Sequence, residues 1–303
     1  MSRPDRLTDG PTMEITTMAE ALQLNGQILK SGNTHDLSKL FTFSALSPSG
    51  DLAYARLLLR SLPSPTSFHY NSILRAYSQS PDPVKALHLF LSMVRDSTRF
   101  SFRPDKFTYP FLLKSCARLR LTHEGKQLHG LVVKSGLCSD RYVRHSLIHM
   151  YGKCGEPPLA RKMFDEMSER DAVSWTSIID GLVDNDMPLE ALRLFEEMVE
   201  DGVEVNEATV VSVLRACADA GALGVGRRVH ELVEERRVGL KGNVRTALID
   251  MYTKCGCIES ARRVFDEGDV GEDVFAWTAM IAGLASNGKC REAIELFDHV
   301  REY

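Results

Sequence analysis

The chain has 303 residues, 44% hydrophobic and 26% charged, with no apolar run of the roughly 18 residues needed to cross a membrane. A net charge of -4 argues against holding nucleic acid by bulk electrostatics alone, while leaving room for local basic patches. Seven cysteines, an odd number scattered without a secretory signal, fit free thiols in a reducing compartment better than a disulfide framework.

In chain order, residues 1–17 come first; they hold Pro4, Gly10 and Pro11, lack an apolar period and read as a disordered leader. Their acids Asp5, Asp9 and Glu14 are unlike an organellar presequence, so no clear transit peptide is visible. From residue 18 to the end the chain repeats itself. A half copy (18–36) and a poor short copy (37–66) are followed by copies at 67–105, 106–140, 141–171, 172–206, 207–241, 242–273 and 274–303. A larger period of 101 residues runs over these, so that LIHMYGKCGEPPLARKMFDEM (147–167) returns as LIDMYTKCGCIESARRVFDE (248–267).

Each copy predicts two short amphipathic helices joined by a turn. In 141–171, Val143, Leu147, Ile148 and Tyr151 form one stripe, and Ala160, Met163, Phe164 and Met167 form the other. Gly155 between them tolerates positive φ, and Pro157 suits the first turn of the second helix. Ala55, Ala86, Ala160, Ala191, Ala261 and Ala293 recur where paired helices would approach closely. Tyr70, Trp175 and Trp277 recur at the fourth position of one copy type and read as packing between hairpins. Helices of about a dozen residues do not hold themselves in water and one hairpin cannot bury both stripes, so neighbours must stack. The expected fold class is all-α, an α-solenoid of stacked helix-turn-helix repeats.

No metal or cofactor site emerges. Cys255-Gly-Cys257 has no second pair at zinc spacing, and Cys154 and Cys255 read as small buried residues beside the turn. His129 and His230 recur without a recurring acid or cysteine partner and read as structural. Arg161-Lys162, Arg227-Arg228 and Arg262-Arg263 read as a solvated outer face balanced by nearby acids rather than as phosphate contacts.

These motifs together are similar to the pentatricopeptide repeat proteins of land plants, in the class that alternates standard, long and short repeats. The standard copies are AVSWTSIIDGLVDNDMPLEALRLFEEMVEDGVEVN and SFHYNSILRAY with FRPD; the long ones begin KFTYPFLLKSC and EATVVSVLRAC; the short ones contain LIHMYGKCG and LIDMYTKCG. The last copy, 274–303, is a standard repeat that stops before its final residue. The peptide-binding tetratricopeptide signature W-x2-L-G-x2-Y is absent.

The resemblance implies a right-handed superhelix that binds single-stranded RNA from an organellar transcript, one base per repeat. It assigns the reading to the fifth and last residues of each copy: Asn71 with Asp105 for uracil, Thr176 with Asn206 for adenine, Thr246 with Asp273 for guanine, and Thr278 for a purine. Pro110 with Asp140 and His145 with Asp171 occupy the same places without a clear base, and Val211 with Lys241 fits no pair. The second-position residues Phe68, Phe107, Tyr142, Val173 and Phe275, with Ala208 and Asn243, would flank the bases. The implied role is a specificity factor for editing, modification or processing in a mitochondrion or chloroplast, with editing or processing proteins recruited in trans. Deaminase relatives need H-x-E and P-C-x-x-C. Neither string occurs, so no enzyme is expected. The alternative is a protein-binding adaptor, or a truncated repeat protein with too few decodable copies.

Overall fold

The computed structural model describes residues 15–31, 36–95, 102–235, 242–267 and 273–300. Most of the expected leader and Lys241 lie outside them. Thr16 and Thr17 are described, and both bond Glu20 in the first turn of α1 (Met18–Ser31).

Among the described residues the secondary structure is entirely helical. After α1 the helices follow in pairs: α2 (Leu37–Leu46) and α3 (Leu52–Ser61), α4 (Ser67–Gln79) and α5 (Val84–Arg95), α6 (Thr108–Leu119) and α7 (Thr122–Lys134). Then come α8 (Arg141–Lys153) and α9 (Pro157–Asp165), α10 (Ala172–Val183) and α11 (Pro188–Glu200), α12 (Glu207–Ala220) and α13 (Leu223–Glu235). Last are α14 (Asn243–Lys254) and α15 (Ile258–Asp266), then α16 (Val274–Ser286) and α17 (Cys290–Val300). Contacts divide the chain into two compact units, residues 1–119 with 131–137, and residues 120–130 with 138–303.

In the first unit α2 packs on α4 and α4 on α6. In the second, α8 packs on α10, α10 on α12, α12 on α14 and α14 on α16, each backed by the second helix of its own pair. This is an α-solenoid: each hairpin covers the stripe its predecessor leaves open.

The α8–α9 hairpin shows the local causes. Val143, Leu147, Ile148 and Tyr151 are all buried, as are Ala160, Met163, Phe164 and Met167. Gly155 takes φ +78°, where a side chain would be strained, and Pro157 begins α9, where its missing N–H breaks no helix bond. Trp175 on α10 is fully buried and meets Phe164 of the preceding hairpin edge to face, ring centroids 4.7 Å apart. Such a contact adds about 1 kcal/mol to the area it buries. Phe265 and the half-buried Trp277 repeat it at 4.9 Å, and Tyr70 meets Phe102 at 4.8 Å.

One expectation is corrected. Cys154 and Cys255 are half-buried C-caps of α8 and α14, not buried fillers, because the turn that follows leaves one side of each open. His129 and His230, read as structural, each meet the tyrosine of the Met-Tyr pair. His129 Nδ1 lies 2.8 Å from the Tyr151 hydroxyl and His230 Nδ1 lies 2.9 Å from that of Tyr252.

Candidate nucleic-acid interface

In copies 106–140, 141–171, 172–206 and 242–273 the last residue is also the N-cap of the helix that begins the next, whereas α14 has Gly242 as its N-cap. Asp140 accepts from the amides of Tyr142 and Val143, Asp171 from that of Ser174, Asn206 from that of Thr209, and Asp273 from that of Ala276. Asp105 does the same for Phe107 and Thr108. Asp and Asn suit this place because a short side-chain oxygen satisfies N–H groups that have no partner within the helix. The third residue completes the cap: Thr108, Ser174 and Thr209 each place a hydroxyl on the capping residue. Those hydroxyls were missed in the sequence, although an Asp or Asn followed three residues later by Ser or Thr is close to a capping box.

Where the cap holds the last residue beside the preceding first helix it can meet the fifth residue there, and three of the pairs do so. In the first unit the Asn71 amide donates to Asp105 Oδ1 at 3.1 Å, and its carbonyl accepts from the Thr108 hydroxyl at 2.8 Å. That clamp sets which way the buried amide faces. Pro110 is half-buried in the first turn of α6.

In the second unit His145 Nε2 lies 3.0 Å from Asp171 Oδ1. Burial lowers the His145 imidazole from its ordinary value, with Asp171 opposing that shift and Arg141 adding to it. Thr176 reaches Asn206 through an intermediate: its hydroxyl lies 2.6 Å from that of Thr209, which donates to Asn206 Oδ1 at 3.1 Å. Thr246 and Asp273 are not brought together. Arg245 donates to Asp273 Oδ2 at 2.7 Å, and the Thr246 hydroxyl finds no hydrogen-bond partner among the described residues. Burial alone would raise the Asp273 carboxyl, but the Arg245 guanidinium and the Ala276 amide hold it below its ordinary value. Thr278 is exposed and donates to the Val274 carbonyl.

The second-position residues share one environment. Phe68, Phe107, Tyr142, Val173 and Phe275 are all more than half exposed, and Ala208 and Asn243 are exposed too. Lys106 lies over the Phe107 ring and Arg141 over that of Tyr142, 5.4 Å from each centroid. In the second unit a groove of about 1020 Å³ runs across the first helices, and it carries Thr176, Thr246 and Thr278 together with Ala208, Asn243 and Phe275. Val211 lines it as well; Asn206 and Asp273 do not.

Asp180, Arg215 and Asp250 also line this groove, as part of a ladder of ion pairs. Lys153 reaches Asp180 at 2.8 Å and Asp184 at 2.5 Å, Arg215 reaches Asp184 at 2.7 Å, and Lys254 reaches Asp250 at 2.9 Å. In each basic pair of the second helices at least one member is met by an acid, Arg161 by Asp165, Arg228 by Glu196 and Arg262 by Glu292, while Arg227 and Arg263 reach Cys257 and Ser260. They form a balanced outer face. Among the described residues no group of three potential metal ligands gathers, and no helix is long and apolar enough to cross a membrane.

Comparison with known proteins agrees with this architecture. The profile of the PPR repeat family matches residues 170–219, and that of the single PPR repeat matches residues 68–97, 144–171, 244–268 and 275–303. The pentatricopeptide repeat-containing protein At2g36730 of Arabidopsis thaliana is 40% identical over 285 residues, covering 93% of this chain and 56% of that protein. At1g59720 of the same plant, named chloroplastic/mitochondrial, is 37% identical over 93% of this chain and 45% of its own length. The chain thus spans about half the length of these relatives. Among solved structures, the pentatricopeptide repeat protein PPR10 in complex with an 18-nt psaJ RNA element superposes with a TM-score of 0.61 at 20% identity. That match covers 94% of this chain and 46% of PPR10. The shared helical pairs, the repeat profiles and the relatives place the chain in the pentatricopeptide repeat family.

Proposed function

We propose that this chain binds single-stranded RNA across its first helices, one base per repeat, as a specificity factor in editing, modification or processing of a mitochondrial or chloroplast transcript. The observation that carries the reading is the groove that gathers three fifth-position threonines with three second-position side chains at the spacing of successive hairpins. Hydroxyls there donate and accept, so they can meet a Watson-Crick edge, while an exposed ring such as Phe275 offers a stacking face. Organellar location and an RNA ligand are supported by the names of the relatives and of PPR10. Such a binder would act without catalysis of its own.

The expected sequence preference, 5′ to 3′, is U at copy 67–105, A at copy 172–206 and purines at copies 242–273 and 274–303. The test is selection of short RNAs from a random pool by the native chain and by the double variant Thr176→Asn with Asn206→Asp. The preferred base at that register should change from adenine to uracil, with about tenfold loss of affinity for the original sequence. An unchanged preference, or no RNA retained by the native chain, would defeat modular reading. A protein-binding solenoid would then be favoured, since the last-position residues already have a full structural role as caps.

A further inference from the structure

We propose that Arg245 is a specificity-determining residue: by holding Asp273 it takes the last-position carboxylate out of base reading, so the 242–273 repeat meets its base through Thr246 alone. The inference rests on the RNA-binding reading above and sharpens it at one register.

Three pairs bring the fifth and last residues into contact, directly for Asn71 with Asp105 and His145 with Asp171, and through Thr209 for Thr176 with Asn206. Thr246 with Asp273 does not. Arg245 and Asp273 form an ion pair whose side chains are 9% and 14% exposed, with the guanidinium 2.7 Å from Oδ2. Asp273 Oδ1 is meanwhile committed to the Ala276 amide at 3.2 Å. For Asp273 to engage a base it would leave a buried guanidinium without its counter-charge, and breaking such a pair on one side is costly.

The other short hairpin also has arginine at this place, with the opposite outcome. Arg144 donates to the Cys138 carbonyl at 3.0 Å and the Glu166 carbonyl at 2.6 Å, and Asp171 is left to His145. An arginine there is therefore not bound to capture the carboxylate.

The chemical consequence concerns guanine against adenine. A free carboxylate accepts from the N1–H and N2–H donors of guanine and opposes the N1 lone pair of adenine. Thr246 lines the groove with its hydroxyl buried and without a partner among the described residues; turned toward a base by a χ1 rotation, that hydroxyl donates or accepts equally well and so tolerates both purines.

The experiment uses the full chain and pairs of RNAs differing only at this base, G or A. Fluorescence anisotropy gives the affinity ratio, which a change in folded fraction does not alter. The native chain should bind the two with less than about threefold difference, and Arg245→Leu should favour guanine by about tenfold. Asp273→Asn in the Arg245→Leu background should erase that gain. A native chain that already favours guanine tenfold, or a ratio that Arg245→Leu leaves unchanged, would overturn the assignment. Thr176→Asn with Asn206→Asp is measured in parallel: if it shifts its own base while Arg245→Leu shifts nothing, only the Arg245 inference fails. If neither shifts, modular reading itself fails.

Discussion

The two short hairpins, α8–α9 and α14–α15, share one scaffold and differ at a few places along the first helix. In both, a tyrosine hydroxyl meets a histidine of the preceding helix at almost one distance, 2.8 Å and 2.9 Å. In both, methionine sulfur sits where a Cβ on a buried glycine would be, 2.4 Å from the position beside Gly125 for Met150 and 2.5 Å from that beside Gly226 for Met251. Gly155 and Gly256 turn the chain at φ +78° and +74°. The differences lie at the seam with the next hairpin, where Gly152 faces Gly181 but Thr253 faces Gly283, and at the fifth position, His145 against Thr246. Identity between the copies thus marks the turn and the contacts to the preceding helix, and variation falls on the seam with the next hairpin and on the fifth position.

The seam gives the largest expected effect. A Cβ on Gly152 would lie 2.8 Å from the Gly181 Cα, backbone against backbone, while Asn185 ties the two helices by donating to the carbonyls of Gly152 at 2.7 Å and Gly181 at 2.6 Å. Importing the other hairpin's residue by Gly152→Thr should lower stability by about 3 kcal/mol, because the helices must separate. At the second seam the crowding atom is a side chain, the Thr253 methyl, 2.3 Å from a Cβ on Gly283. Gly283→Ala should therefore be destabilising in the native chain and nearly neutral once Thr253→Gly is present. Urea midpoints by circular dichroism measure both; equal costs at the two seams would mean that the hairpins do not differ there.

The shared scaffold makes the next prediction one of sameness. Burial pushes the Tyr151 hydroxyl up to about 12 and raises that of Tyr252, so both are neutral phenols able to donate to the histidine Nδ1. Tyr151→Phe and Tyr252→Phe should each cost about 1 kcal/mol, the usual net value of a buried hydrogen bond. A cost confined to one hairpin would break the equivalence.

Legibility in the sequence follows the same division. Helical stripes, the glycine turn and the packing of Trp175 between hairpins could be read because periodicity fixes which residues face inward and the repeat length fixes where neighbours stand. The family resemblance paired Asn71 with Asp105. It could not show that Arg245 would choose Asp273 while Arg144 chooses two carbonyls, since a long flexible side chain selects among acceptors that only the folded neighbourhood supplies. Nor did it show Thr209 bridging Thr176 to Asn206, although the capping pattern was there to be seen. The sequence does not mark the tyrosine partner of His129 either, because a buried tyrosine carries the same apolar signal whether or not its hydroxyl meets an imidazole.

The smallest expected effect tests the fifth position itself. His145 is buried, and its imidazole titrates below the ordinary 6.5, with burial as the main cause; His129 is lowered too, again chiefly by burial. The unfolded chain then binds protons more readily than the folded one. Stability from these groups is complete above about pH 6.5 and falls as pH drops from there toward the folded-state values, where it levels off. Between pH 7.5 and 5.5, above the carboxylate range, the urea midpoint of the native chain should decline. His145→Thr, which gives this hairpin the residue of its counterpart, should shrink the decline without abolishing it, because His129 still titrates. An unaltered slope would mean that the His145 contact with Asp171 keeps the imidazole as easily protonated in the folded chain as in the unfolded one. The fifth-position difference between the hairpins would then be one of shape and hydrogen bonding rather than of charge.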